Sequence, residues 1–465
     1  MSTLFSALNA SAGALDVLNQ SINVAQNNVD NASTPGYAAQ TATAEALPFD
    51  PSTGLGGGVT SGPLQSSRDE FAEQSVWQQQ ENLGVSNGLL DGLTSVEQLF
   101  NVTGSSGIPA ALSQLMSDFS SWSTEPDSTT ARQQVLADAQ TVAQSFNTVA
   151  TGVQQAASAA DQQIQSTVTQ VNQLSSSIAA LNKQIEAEPQ QDAGLQAQLY
   201  SNLEQLSQLV NINVLPQSDG TVTVLTGSES PLVMGQSSMQ LSASTSSSGV
   251  SILDSNGTDI SSAISGGSLA GLLQFQTTVQ GLMGSSSGQG SLNQLAQTLA
   301  DTVNQILTSG TTDTSSTATA GVPLFTYATG NSTTVAATLA VNPAITASTL
   351  AAASVGPPAV ANGAANALAA LSTQTFSSLG GMDLTDYYSQ IASGIGTLQS
   401  NASNGVTNGQ QLVAQAQNAR SQVSGVSLNA EAAELMQLQQ SYQAVAKMVS
   451  VVGDLTQSVI EMIQS

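Results

Sequence analysis

The sequence predicts a mainly α-helical fold: an elongated helical bundle with coiled-coil helices at its N- and C-terminal ends and a small inserted β domain. Three observations carry this reading. Through most of the 465 residues, apolar side chains recur at three- and four-residue spacing, which collects them on one face of a helix. Both ends of the chain narrow that face to the strict 4,3 alternation of a coiled-coil seam. Two stretches, 211–267 and 309–359, abandon the rhythm for short alternating runs broken by Gly, Ser, Thr and Asp.

The N-terminal seam is Leu4, Leu8, Ser11, Leu15, Leu18, Ile22, Ala25 and Val29. Its C-terminal counterpart is Leu435, Leu438, Tyr442, Val445, Val449, Val452, Thr456, Val459 and Ile463. A seam two positions wide in every seven buries little area, and a short helix is marginal alone. The two ends are therefore expected to pair and to complete their burial only on assembly. After the first helix, Pro35 presets φ and Gly36 accepts positive φ, the requirements of a type II turn.

Helical spacing holds over 89–100, 112–122 and 135–153, and Ile164 to Ile185 continues it. About 130–187 thus reads as one long rod, which Pro189 is expected to end. Leu195, Leu199, Leu203, Leu206 and Val210 make a further helix. Thr221-Val222-Thr223-Val224 then marks strands. The helical register returns at Leu272, Phe275, Val279 and Leu282, at Leu292 to Ile306, and at Leu384, Tyr388, Ile391, Ile395 and Leu398. The stretch 309–359 fits an exposed β module or a loose loop equally. The expected division is a terminal assembly domain (1–60 and 425–465), a helical bundle (61–210, 268–308 and 360–424) and a β-rich outer domain (211–267 and 309–359).

Composition removes most chemistry. Five Lys and Arg against 31 Asp and Glu give a net charge of −26, with neither His nor Cys. No Cys/His zinc site, His-based triad or disulfide can form, and such a chain repels phosphate backbones and anionic lipid. No nucleic-acid partner, membrane insertion, cofactor, metal or catalytic residue is expected. Gly284-Ser285-Ser286-Ser287-Gly288 has the letters of a nucleophile elbow but no base to serve it. Asp254, Asn256 and Asp259 lack calcium-loop spacing and read as a β-turn. Residues 1–20 carry no basic segment of the kind that opens a cleaved signal peptide.

Two end motifs add identity to this pattern. Residues 27–37 read Asn-Asn-Val-Asp-Asn-Ala-Ser-Thr-Pro-Gly-Tyr, with Asn28, Asn31, Thr34, Pro35, Gly36 and Tyr37 as the distinctive positions. Residues 424–444 contain Gly425, Leu428, Gln440 and Tyr442 in a matching C-terminal pattern. Together they resemble the terminal signatures of the flagellar rod and hook axial proteins. Inside the chain, Arg68-Asp69-Glu70-Phe71, the series Phe119, Pro126, Arg132, Val135, Leu136, Ala139, Phe146, Asn147, and Gly266 to Phe275 resemble the FlgK-type hook-associated proteins.

That resemblance implies a non-enzymatic structural subunit, exported by the flagellar type III apparatus and self-associating in a ring at the extracellular hook–filament junction. Hook protein and a second hook-associated protein would be its neighbours, and an export chaperone its escort. Its assembly interface would be Leu4, Leu8, Leu15, Leu18, Ile22 and Val29 with Leu435, Leu438, Tyr442, Val445, Val449, Val452, Val459 and Ile463. Another axial component, such as a hook or distal rod protein, and a secreted helical adhesin or effector are the alternative readings.

Overall fold

A computed structural model describes residues 2–49, 57–100, 106–187, 192–227, 229–246, 249–285, 288–356 and 358–464. Helix α1 (Ser2–Asp30) leads to a hairpin of β1 (Gln40–Ala46) and β2 (Val59–Ser66), followed by α2 (Glu70–Glu97), α3 (Gly107–Thr124), α4 (Thr129–Ala187) and α5 (Ala193–Leu209). An antiparallel unit comes next. In it β3 (Ile212–Pro216), β4 (Val222–Thr226), β5 (Ser230–Met234) and β6 (Ser237–Ser238) form one sheet in that order, and β7 (Ser242–Ser246) pairs with β8 (Gly249–Leu253). Helix α6 (Gly267–Met283), the small ladder β9 (Gly284–Ser285) with β10 (Gly288–Gln289), and α7 (Ser291–Thr308) return the chain to the bundle. Short pieces follow: β11 (Gly310–Thr311), β12 (Phe325–Thr326), α8 (Val335–Thr338), β13 (Ala340–Val341), β14 (Ala353–Ser354) and α9 (Gly363–Ala369). The long helices α10 (Leu384–Ser424) and α11 (Leu428–Gln464) come last. The mainly helical, elongated architecture is the one the apolar spacing predicts.

The spine is α4, 59 residues long, or about 88 Å at 1.5 Å per residue. Its first half buries Val135, Ala139, Val142, Phe146, Val149 and Val153, and its second half Ile164, Val168, Val171, Ile178 and Ile185, in one continuous core. The rod read at 130–187 is therefore real, while Pro189 lies outside the described residues. Aspartates start three of the helices: Asp69, Asp192 and Asp383 each accept backbone N–H groups of the first turn of α2, α5 and α10, satisfying donors that have no partner inside the helix.

Asparagines on α4 clip its neighbours in place. Asn147 donates to the carbonyls of Ala336 and Leu339. Asn172 exchanges a reciprocal pair of bonds with Leu241, at 2.8 and 2.9 Å. The buried Asn182 donates to Val222 and Gly235 and accepts from the Val222 N–H. The 212–253 unit thus sits along the second half of α4. Segment 309–359 sits elsewhere, and here the expected grouping needs correction. Its strands are two residues long, and it packs on α4, α7 and α9 at the end of α4 where Arg132 lies. Arg132, 9 % exposed, donates to the carbonyls of Pro126, Ala347 and Thr312. The stretch is an irregular flap of the helical body rather than a companion of the 211–267 strands. The physical reason is that Leu324, Phe325, Val335, Ala336, Leu339, Leu350 and Ala351 bury fully into the core shared with α3, α4 and α7.

The Gly-Ser-Leu segment at 266–273 is explained by close approach. Gly267 has φ +73°, and a Cβ there would stand 2.2 Å from the Leu209 carbonyl carbon. A Cβ on Gly271 would stand 2.1 Å from the Val85 carbonyl oxygen. Only glycine lets α6 lie this near α2.

Candidate assembly site at the terminal helices

The terminal unit is α1, α11 and the β1–β2 hairpin laid against α1. The pair runs antiparallel, since Asn28 near the end of α1 bonds Glu431 near the start of α11. Helices α1 and α11 pack on each other. Leu435, Leu438, Tyr442, Val445, Val449, Val452 and Val459 are half-buried on α11, and so are Leu4, Leu8, Leu15, Leu18, Ile22 and Val29 on α1. The Ile463 side chain lies outside the described residues. Burial of both helices stays incomplete. On α1 only Val24, Ala25 and Asn28 are fully buried among the described residues, and on α11 none is.

A second apolar line on α11, one position around the helix from the seam, faces outward. Met448, Val451 and Leu455 are 59 %, 51 % and 52 % exposed, and Met436 and Ile460 are exposed nearby. In the residue pattern this line is masked by the stronger 4,3 seam beside it in the same heptads. Its signal is the 3,4 step from 448 to 451 to 455, on helix positions flanking the seam.

Where the terminal unit meets the body, the signature residues form a hydrogen-bonded knot. Asn28, 2 % exposed, uses all its capacity. Its amide donates to the Gln40 carbonyl and to Glu431, and its oxygen accepts from the Tyr37 hydroxyl and the Gln40 N–H, all at 2.9 Å. Asn31 donates to the Asn27 carbonyl and accepts from the Thr34 hydroxyl. The Tyr37 N–H closes the Pro35–Gly36 turn on the Thr34 carbonyl at 3.1 Å, with Gly36 at φ +75°, as a type II turn requires. Gly425 marks the break between α10 and α11, its N–H donating to the Ser421 carbonyl. Leu428 and Gln440 are exposed and take no part in the knot. Burial, then the Glu431 charge, raises the Tyr37 pKa. Burial also raises that of Glu431, against the Asn28 hydrogen bond.

The ion pairing under the knot is not legible in the sequence, although a chain with five basic side chains invites the question of where each is paired. Glu73 bonds both Arg68 and Arg420, and Arg420 also bonds Glu204. Burial lowers the Arg68 pKa although Glu73 opposes it. At Arg420, burial acts in the same sense but the two glutamates outweigh it, and the net shift is upward. Among the described residues no group of acidic side chains is arranged to hold a metal ion, and no helix is long and apolar enough to cross a membrane.

The chain is similar to known flagellar proteins. The family model "Flagellar hook-associated protein FlgK helical domain" matches residues 93–325, and "Flagellar basal body rod FlgEFG protein C-terminal" matches 417–462. Flagellar hook-associated protein 1 of Bacillus subtilis is 27% identical over 245 residues, covering 48% of this chain and 48% of the relative. That of Salmonella typhimurium is 26% identical over 322 residues, 66% of this chain and 57% of the relative. The chain thus matches about half the length of these relatives. The structure of the flagellar hook junction protein FlgK from Burkholderia pseudomallei superposes with a TM-score of 0.61 at 19% identity, covering 75% of this chain and all of that one, a likeness of fold. With the helical-domain model spanning half the chain and the axial C-terminal model covering α11, this chain belongs to the FlgK family of flagellar hook-associated proteins.

Proposed function

We propose that this protein is a structural, non-catalytic subunit of the hook–filament junction, exported and placed outside the cell, where copies form a ring through their terminal helices. One observation carries the reading: a paired α1–α11 rod whose seam is used within the chain while Met448, Val451 and Leu455 stay open to solvent. The a and d positions hold the pair together. The outward line is the face offered to neighbours, head to tail, in a helical lattice. Contacts so poor in charge make the packing weakly dependent on salt. Hook protein and a second hook-associated protein are the neighbours this reading requires, with an export chaperone covering the same apolar face beforehand.

The test replaces the outward line without touching the seam. A Met448→Glu/Val451→Glu/Leu455→Glu variant should be exported and folded yet fail to retain filaments on hooks in a strain lacking the native protein. Filament retention at the native level would overturn the reading. The alternative of a hook or distal rod protein draws on the C-terminal model alone. It predicts instead that the chain restores hooks or rods and not filament retention.

A further inference from the structure

An ionic cluster lies beneath the turn that joins the terminal rod to the body, and Arg68 carries it to that turn through the Gly36 carbonyl. Glu73 is 1 % exposed, and its two carboxylate oxygens accept from different arginines, Oε1 from Arg68 and Oε2 from Arg420 at 3.0 Å. Arg68 donates its other terminal nitrogen to the Gly36 carbonyl at 2.6 Å and lies 3.7 Å from the Tyr200 ring centroid. Arg420 reaches on to Glu204 at 2.8 Å. The turn after α1, the start of α2, α5 and the end of α10 thus converge on one buried carboxylate.

We propose that this cluster is an orientation lock: Arg68, Glu73 and Arg420 are positioning residues that hold the α1–α11 rod at one angle to the body. Three observations support it. First, α10 and α11 are separate helices, because Gly425 is extended (φ −78°, ψ 164°), so no continuous helix dictates the direction of the rod. Second, a cavity of about 210 Å³ bounded by Pro35, Tyr37, Glu73, Arg420, Ser424 and Gly425 opens beside the joint. The remaining bonds across it centre on Ser424, whose carbonyl accepts from Ala39 N–H and the Ser67 hydroxyl and whose hydroxyl accepts from Asp69 N–H. Third, a buried ion triad adds little net stability over apolar side chains of the same volume, because desolvation offsets the attraction; what its directional bonds supply is geometry. The inference concerns the isolated chain and stands apart from what the chain assembles into.

With no cysteine in the chain, spin labels can be placed at will on the full-length protein. Labels on Asn19→Cys in α1 and Gln208→Cys in α5, both exposed, report the rod angle as a distance distribution by pulsed electron paramagnetic resonance. The native chain should give one narrow peak. An R68M/E73M/R420M variant should melt within about 5 °C of it yet give a distribution about twofold wider, since the directional bonds are gone. Glu204→Gln, at the rim, should broaden it less without moving the melt. Loss of helical circular dichroism in the triple variant would show a stabiliser rather than a lock and overturn the proposal, as would an unchanged width in either variant.

Discussion

The body and the terminal rod are built from the same helical material but differ in how far burial has gone. In the body, Phe119, Trp122, Phe146 and Leu115 are fully enclosed between α3, α4 and their neighbours. In the rod, the seam is half-covered and the flanking apolar line is open. A helix packed by several neighbours has its order decided within the chain. One packed by a single partner leaves a face whose burial must come from elsewhere. The body is thus closed on itself, while the rod keeps apolar side chains open to solvent.

The sharpest way to break this contrast is a pair of truncations. Phe146→Ala should cost about 3–5 kcal/mol because it opens a cavity in a closed core. Leu438→Ala, on the half-covered seam, should cost the isolated chain about 1 kcal/mol or less, since it leaves no enclosed void. Urea denaturation followed by circular dichroism reads both, and equal costs would remove the distinction. Polar fastening comes next. Asn182→Ala strands the N–H and C=O of Val222 and should cost about 2–3 kcal/mol. Asn28→Ala should act within the rod, raising hydrogen exchange in α11 and leaving exchange in α4 unchanged.

Acidity sharpens the comparison further, because the two most strongly raised carboxyl groups lie in the body. Burial lifts Glu81, which accepts the Ile212 N–H, to about 7. Burial and then the neighbouring Asp138 lift Asp118 to about 7. Both folded values exceed the unfolded ones, so their contribution is fully present below about pH 4 and is lost as pH rises toward 7. Asp219, Asp254, Asp259 and Asp313 are lowered, chiefly by hydrogen bonds in their own turns. What they contribute is present above about pH 4 and lost below it. The melting temperature should therefore peak in mild acid and fall toward pH 7. Glu81→Gln with Asp118→Asn should flatten that fall; a native curve already flat between pH 5 and 7 would refute the assignment. The smallest effect belongs to the rod surface. Leu455→Ala should change the stability of the isolated chain by less than about 0.5 kcal/mol, a null result in denaturation that gains meaning only beside a loss of assembly.

Much of this was legible in the residues alone. The long α4, the terminal seams and the Pro35–Gly36 turn follow from spacing or local backbone preference, and Asp254 does form the predicted turn, accepting the Asn256 and Thr258 N–H groups. The place of the 309–359 flap is not legible, because its Ser, Thr and Gly content signals irregularity without saying against what it packs. Leu324, Val335 and Leu350 are too widely spaced to show a period, and their common core is assembled by tertiary contact. The asparagine clips were hidden because a mid-helix Asn has the same local signature whether it points at water or at a strand edge.

Local pattern sets the helices, their apolar faces and the kinship carried by the terminal motifs, because each is written within a few turns of chain. Long-range packing settles where the scarce arginines are paired, which neighbour the flap covers, and which apolar line on α11 is left open. Those are choices among partners remote in sequence, and desolvation and hydrogen-bond geometry make them only once the segments meet.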